Sequence, residues 1–137
     1  MDERCIGIDP APATGSVQGH EMFMGVCAQN AGSRALCMHV VRIPPGGRAK
    51  AHLHEGHESA VYVVSGRATT WFGPRLDQRV DTAAGGFVYI PAGVPHLPVN
   101  LSDTEPVIGL IARTDPNEQE SVVLLPELDG LPHLFGP

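Results

Sequence analysis

Three histidines and two glutamates fall within one seven-residue stretch, His52-Leu53-His54-Glu55-Gly56-His57-Glu58. Imidazole nitrogens and carboxylate oxygens are common protein ligands of divalent transition metals. Alternate side chains of an extended segment share one face, so His52 and His54 would project into the same space. The stretch therefore predicts half of a metal site, with Lewis-acid or redox chemistry at a bound ion.

A fourth histidine, His96, is the candidate for the other half of this site. It ends a run of glycine, proline and apolar residues that begins at Gly85. Pro91 and Gly93 are typical of a turn, which would aim His96 inward. The other histidines have no comparable spacing, and we expect them to be structural or solvated: His20, His39 and His133.

Short strands are the elements that would position these ligands. The 137 residues include 16 Gly and 13 Pro, which recur every few positions, and no segment longer than a turn has helical period. This pattern predicts an all-β jelly-roll β-barrel with little or no helix. The strands are predicted at 20–27, 35–43, 49–54, 57–65, 67–72, 78–82, 87–90, 106–112 and 121–125.

A single domain is predicted, because a chain of this length buries a sufficient core without disulfide bonds. Residues 1–18 contain Pro, Gly and small polar residues without amphipathic period, so we expect a flexible N-terminal arm before a domain over 19–137. The cysteines are odd in number and irregularly spaced, which indicates no disulfide framework: Cys5, Cys27 and Cys37.

The charge pattern disfavours two classes of partner. The net charge is −6, and the nine basic residues are placed singly, which argues against a nucleic-acid surface and against a polybasic membrane patch. No segment has the form of a signal peptide or of a membrane span. We therefore expect a cytoplasmic protein that acts on a small molecule.

Two motifs resemble those of the cupin superfamily. The second cupin motif, over 85–100, is matched in full by Gly85, Pro91, Gly93, His96 and Asn100. The first motif, over 46–66, is matched by Gly46, His52 and His54. Its acidic position departs from the pattern, because Glu58 has the expected spacing from His54 but lies seven residues before Gly66 instead of six. Ser59 is the residue that has both spacings right.

The phrases HEGHESAVYVVSG and PAGVPHLPVN make the resemblance narrower. They are similar to small, single-domain, RmlC-like bacterial cupins, and in part to the cupin polyketide cyclases, whose zinc is held by four histidines. The resemblance implies the cupin double-stranded β-helix, a metal held by histidines inside the barrel, and a homodimer. It also implies that Asn100 is a structural amide that ties a loop.

The fourth ligand is left open between two residues. A two-residue hairpin loop at Glu55-Gly56 would place His57 and Ser59 inside and Glu58 outside. A three-residue turn with a bulge would reverse this parity and bring Glu58 inside. The first arrangement is favoured, so the predicted ligands are His52, His54, His57 and His96, with Glu58 as the alternative fourth ligand.

These residues predict a site for one divalent transition metal, which could be Zn, Fe(II), Ni, Cu or Mn. The favoured hypothesis is a metal-dependent enzyme that polarises a carbonyl or enol oxygen of a small, neutral or aromatic substrate, as a dioxygenase or as a cyclase or isomerase. Ser59 and Tyr62 are candidate catalytic residues that would handle protons. The alternative is a non-catalytic small-molecule-binding or sensor module, because a fold does not determine a function.

Overall fold

The computed structural model describes residues 4–16, 18–118 and 121–135. Over these residues the chain forms two antiparallel sheets and very little helix, as predicted. The strands are β1 (Thr14–Gly15), β2 (Glu21–Val26), β3 (Cys37–Ile43), β4 (His52–Leu53), β5 (Ser59–Ser65), β6 (Arg67–Phe72), β7 (Gln78–Ala83), β8 (Phe87–Ile90), β9 (His96–Val99), β10 (Val107–Arg113) and β11 (Val123–Leu124). A one-turn helix α1 spans Ala28–Ala31, and 3-10 turns span Pro126–Leu128 and Pro132–Phe135.

The two sheets face each other as a jelly roll. The six-stranded sheet has the order β1-β2-β3-β10-β5-β8, and the five-stranded sheet has the order β11-β4-β9-β6-β7. Side chains alternate in burial along β3, so one face of this strand points into the barrel. The buried residues are Cys37, His39, Val41 and Ile43, and the residues between them are more exposed. Three of the predicted ligands line the space between the inner faces: His52, His54 and His96.

The hairpin predicted at Glu55-Gly56 is wrong. β4 pairs with β9 and β11, whereas β5 pairs with β10 and β8, so residues 54–58 cross from one sheet to the other. Gly56 has φ +77° and makes the corner, a conformation that glycine adopts at little cost. The burial still follows the favoured parity, because His57 and Ser59 are buried and Glu58 is exposed.

Strand β9 was not predicted, and it contains Pro98, a residue that lacks a backbone N–H and is unusual in a central strand. The strand nevertheless pairs with β6 on one side and with β4 on the other. The carbonyl oxygen of Pro98 still accepts a hydrogen bond from the backbone N–H of Ala49 at 3.2 Å. The strand begins at His96, which places this ligand candidate at a defined register.

The loop after β9 is held by Asn100, as expected of a structural amide. Its side-chain nitrogen donates to the carbonyl oxygens of Ile43, Pro44 and Glu105, and its side-chain oxygen accepts from the backbone N–H of Ser102. Asn100 is 1% exposed, so these contacts satisfy a buried polar group. The contacts tie the end of the second motif to the end of β3.

The C-terminal segment covers the outer face of the five-stranded sheet. Leu134 is fully buried in a cluster with residues from that face and from the loop after β6: Ala51, Leu76, Leu97 and Val99. His133 extends this packing, because its Nε2 contacts the carbonyl oxygen of Leu76 at 2.6 Å. The molecule therefore has an apolar layer outside the barrel as well as one inside it.

The N-terminal segment contacts the barrel before β2 begins. β1 pairs with β2, and the carbonyl oxygen of Gln18 accepts a hydrogen bond from the backbone N–H of Lys50 at 2.7 Å. Gln18 and His20 are both buried. The boundary predicted after residue 18, and the mobility of the arm, stay predictions. No helix in the described part of the chain is long and apolar enough to cross a membrane.

Candidate metal centre

Three of the predicted ligands converge inside the barrel. His52 and His96 are directly opposed in the pairing of β4 with β9, and their ring centroids lie 4.2 Å apart. His54 follows β4, with its ring centroid 4.8 Å from that of His52 and 5.1 Å from that of His96. One nitrogen from each ring lies within 4.8 Å of the other two, and all three residues are buried. We call this group the histidine cluster.

Each ring of the histidine cluster is oriented by a backbone carbonyl. A carbonyl oxygen only accepts hydrogen bonds, so the Nδ1 atom that faces it carries the proton, and Nε2 carries the lone pair. This arrangement is typical of histidine ligands, because the second hydrogen bond fixes the tautomer and the ring orientation. The contacts are His52 Nδ1 to Lys50 O at 2.5 Å, His54 Nδ1 to Ser121 O at 3.1 Å and His96 Nδ1 to Val94 O at 2.9 Å.

The electrostatics at His52 favour a neutral imidazole. Burial is the largest of the effects that lower the pKa of His52 to about 2; the neighbouring His96 and His54 act in the same direction, and the hydrogen bond to the Lys50 carbonyl opposes them. A neutral imidazole is the form that binds a metal. Donor type, protonation and convergence therefore all fit a divalent cation.

His57 lies beside the histidine cluster. It is buried, and its ring centroid is 4.8 Å from that of His54. Its nitrogens do not belong to the group that lies within 4.8 Å of one another. The Nδ1 atom of His57 is instead 3.7 Å from a carboxylate oxygen of Asp115, a contact that orients this ring.

Asp115 is a charged partner for His57. Burial alone would raise the pKa of Asp115, but hydrogen bonds from the backbone N–H groups of Asn117 and Ser121 and from the Asn117 side chain hold it below its ordinary value. Arg113 is 2% exposed, and it donates to the backbone carbonyls of Asn117 and Glu118. The loop that presents Asp115 is thus fixed from inside the protein.

Of the remaining predicted site residues, the structure places Ser59 at the cavity and Glu58 and Tyr62 away from it. Ser59 is buried and lines the same cavity as the histidine cluster. Glu58 is exposed and is not brought to the cluster, because its backbone pairs with Thr114 at the sheet corner. Tyr62 lies on the opposite face of β5, 38% exposed, with its ring 5.0 Å from that of Phe87. Tyr62 therefore does not reach the cavity, since its position on β5 has the outward parity.

The histidine cluster opens into a cavity of about 80 Å³. Val and Ile side chains form much of its wall, and among the described residues that line it none is Lys, Arg, Asp or Glu. Besides the cluster, the polar lining residues are Gln18, His20, Ser59, Thr70 and Thr82. The cavity therefore suits a small ligand with few or no charges.

Gln18 and His20 were not recognised from the sequence. His20 lies close enough to His52 to lower the pKa of that ring. The Nδ1 atom of His20 contacts the hydroxyl of Ser16 at 3.2 Å, which orients it. The only sequence signal is that His20 immediately precedes the alternating segment of β2, which does not reveal which cavity the residue faces.

Fold and site together define a β-barrel with histidine donors converging in its lumen. A family model for the cupin domain matches residues 39–112, more than half of the chain. This protein belongs to the cupin family. The match includes the histidine cluster and most of both sheets.

Three proteins that this chain resembles are oxalate decarboxylases by name. A probable oxalate decarboxylase of Arthroderma benhamiae is 36% identical over 80 residues, which are 57% of this chain and 20% of that protein. The oxalate decarboxylase of Lactobacillus farciminis, in a formate complex, superposes with a TM-score of 0.68 at 23% identity, covering 83% of this chain and 33% of that one. The oxalate decarboxylase of Bacillus subtilis, which has Mn(II) centres, has a TM-score of 0.68 at 23% identity and covers 93% and 33%.

The matched region is thus a fifth of the curated relative and about a third of each solved decarboxylase. At this level of identity the structural likeness shows the fold alone. The family and the three-histidine cluster are consistent with a divalent metal.

Proposed function

We propose that this cupin is a metal-dependent enzyme that acts on a small, uncharged organic substrate through a carbonyl or enol oxygen. The observation that carries the proposal is the histidine cluster, in which three buried imidazoles have their Nδ1 atoms facing backbone carbonyls and bring one nitrogen each within 4.8 Å of the other two. A divalent ion held there would supply Lewis acidity toward a substrate oxygen. The protein itself would orient the substrate and exclude water through the aliphatic walls of the cavity.

His57 is proposed as the fourth ligand. It is buried beside His54, and the Asp115 carboxylate near its Nδ1 would favour the tautomer with the lone pair on Nε2. Ser59 is proposed as the residue that exchanges a proton or a hydrogen bond with the substrate, because its hydroxyl is in the cavity. A dioxygenase would need a redox-active metal, whereas a cyclase or isomerase would work with zinc.

The test is elemental analysis of the purified protein, followed by turnover of a panel of small ketones, enols and catechols with and without oxygen. We expect close to one transition-metal ion per chain, and loss of that ion in His52→Ala and His96→Ala. Oxygen consumption would select the dioxygenase form. A protein that binds no transition metal would contradict the proposal and leave a metal-free binding module.

Decarboxylation is a second candidate, because the curated relative is named a probable oxalate decarboxylase. Oxalate carries two negative charges at neutral pH, and the described lining of the cavity contributes no Lys or Arg to balance them. We therefore favour an uncharged substrate. Formation of CO₂ or formate from oxalate by the metal-loaded protein would reverse this preference.

A homodimer is also proposed. The outer face of the six-stranded sheet exposes apolar side chains on β3, β5 and β8: Met38, Tyr62, Val64 and Phe87, which are 41%, 38%, 49% and 72% exposed. A contiguous apolar surface of this kind is typical of a protein interface. Sedimentation equilibrium should give a dimer mass for the native protein and a monomer mass for Val64→Asp, and a monomeric native protein would exclude the proposal.

A further inference from the structure

An open groove continues from the cavity of the histidine cluster to the surface. It has a volume of about 370 Å³ and lies between the 91–94 turn and strands β6, β7 and β8. Four residues line both the groove and the cavity: Thr70, Val88, Ile90 and His96. The two spaces therefore share a wall, and His96 belongs to both.

Strand register shows that the groove is the open mouth of the barrel. Phe72 is directly opposite His96 in the pairing of β6 with β9, and Val80 is directly opposite Thr70 in the pairing of β6 with β7. Directly opposed residues lie on the same face of an antiparallel pair, so Phe72 and Val80 continue the inner face that carries His96. Val80 is nevertheless 37% exposed, because β7 and β8 are the edge strands of their sheets.

The chemistry of the groove is apolar. In the described part of the chain its polar lining residues are Thr70 and His96, which it shares with the cavity, and Tyr89 with its phenol hydroxyl, and none of the residues that line it is charged. Phe72 places an aromatic ring next to His96 in register. Such a surface would gain free energy by binding a flat apolar group, and it would offer no partner to a charged one.

We propose that this groove binds the aromatic or alicyclic body of the substrate while the substrate oxygen reaches the histidine cluster. The inference rests on the proposed function, and it specifies the substrate class of that site: an uncharged aromatic ketone, enol or phenol. A 370 Å³ groove in continuity with the cavity accommodates a ring of this size, whereas the 80 Å³ cavity alone does not leave room for it beside a metal. Phe72 and Val80 are the specificity-determining residues.

The first experiment tests the groove without metal. Benzamide, a neutral aromatic amide, is titrated into metal-free protein with ¹³C-labelled methyl groups, and acetamide serves as the control ligand. We expect benzamide to shift the methyl resonances of Val80, Val88 and Ile90, and acetamide to leave them unchanged. Absence of these shifts with benzamide, or shifts confined to other methyl groups, would overturn the proposal.

The second experiment tests whether the groove and the histidine cluster act on one ligand. Acetohydroxamate and benzohydroxamate carry the same metal-chelating head group, and their affinities for zinc-loaded protein are compared by calorimetry. We expect benzohydroxamate to bind about tenfold tighter, since about five additional heavy atoms enter the groove. Val80→Asp should abolish most of this ratio, because it places a carboxylate beside the ring, and Val80→Thr should lower it less.

Leu101→Asp is the matched control, because Leu101 is a 42% exposed apolar residue that does not line the groove. This variant should keep the tenfold ratio. A native ratio near one, or a ratio that Val80→Asp leaves unchanged, would overturn the proposal. If neither hydroxamate binds while benzamide still shifts the three methyl groups, then the metal centre fails and the apolar groove stands as a binding site.

Discussion

At the scale of single residues, this site depends on the state of its imidazoles. Burial removes the charged form of His52, and backbone carbonyls determine which ring nitrogen carries the lone pair. Neither effect requires an unusual residue, because a carbonyl two positions before the ring provides the contact for both His52 and His96. His57 differs, since its partner is the Asp115 carboxylate.

His57→Ala should weaken metal binding by at least about tenfold, because it removes the proposed fourth ligand. Glu58→Ala is the matched variant at the neighbouring position, and it should leave metal affinity unchanged because Glu58 is exposed at the sheet corner. Competition with a chromophoric chelator measures both affinities. Equal affinities in the two variants would contradict the assignment of His57, and a larger loss with Glu58→Ala would identify Glu58 as the ligand instead.

The metal-free protein should lose stability as the pH falls below about 6.5, the ordinary histidine pKa. The folded state holds the pKa of His52 at about 2, so between these pH values the unfolded chain binds a proton that the folded chain does not. Protonation then favours unfolding, by up to about 1.4 kcal/mol per pH unit for this residue. Urea unfolding of metal-free protein between pH 5 and pH 8 measures the slope. His52→Asn should have a shallower slope, and an unchanged slope would show that His52 does not cause the effect.

At the scale of the elements, glycines determine how closely the strands can approach. Gly66 joins β5 to β6 with φ +86°, and a Cβ atom there would lie 2.4 Å from the carbonyl oxygen of Pro106. Gly85, which precedes β8, has a similar φ of +92°, but none of the described residues beyond its chain neighbours has an atom within 4 Å of its Cβ position. Substitution by alanine therefore strains the backbone at both glycines, but it also causes a collision with neighbouring backbone at Gly66.

Gly85→Ala should lower the free energy of unfolding by about 1–2 kcal/mol, the cost of a left-handed conformation in a residue with a Cβ atom. Gly66→Ala has the same cost and a collision with backbone in addition, so it should lose more than about 3 kcal/mol. Chemical denaturation of both variants measures the difference. Equal losses of unfolding free energy in the two variants would show that the chain around Pro106 can move to admit a Cβ atom, and would contradict the importance of the close approach at Gly66.

At the scale of the whole molecule, the fold has two apolar layers with different roles: one lines the ligand space and the other stabilises the fold. The inner layer lines the cavity and the groove, where side chains must leave space for a ligand. The outer layer is densely filled, since the C-terminal segment places Leu134 against Leu97 and Leu76. Because Leu97 lies next to His96 on β9, the outer layer also supports the strand that carries a ligand.

Leu134→Ala should lower the free energy of unfolding by about 2–4 kcal/mol, because it leaves a cavity in this outer layer. Leu124→Ala is the control, since Leu124 is 38% exposed and should cost no more than about 0.5 kcal/mol. Trp71, the single tryptophan, packs against the same cluster and reports unfolding by its fluorescence. A loss below 1 kcal/mol for Leu134→Ala would show that the C-terminal segment is not part of the folded core.

Much of the architecture was predictable from local patterns. Period-two alternation and regularly placed Gly and Pro predict the β structure, because these properties act within a few residues of one another. The types of donor were predictable for the same reason. His52 and His54 lie two residues apart in an extended segment, and the turn residues before His96 direct it inward.

Local patterns therefore predict an all-β cupin with imidazole donors from two motifs. They do not show that β4 and β5 belong to different sheets, that Tyr62 faces outward, or that Gln18 and His20 reach the cavity. Strand pairing between distant segments depends on the packing of the whole chain, and a shift of one residue in register moves every side chain to the other face. Local periodicity therefore supplies the ligands, whereas the partners, the cavity and the groove arise from contacts that no short segment contains.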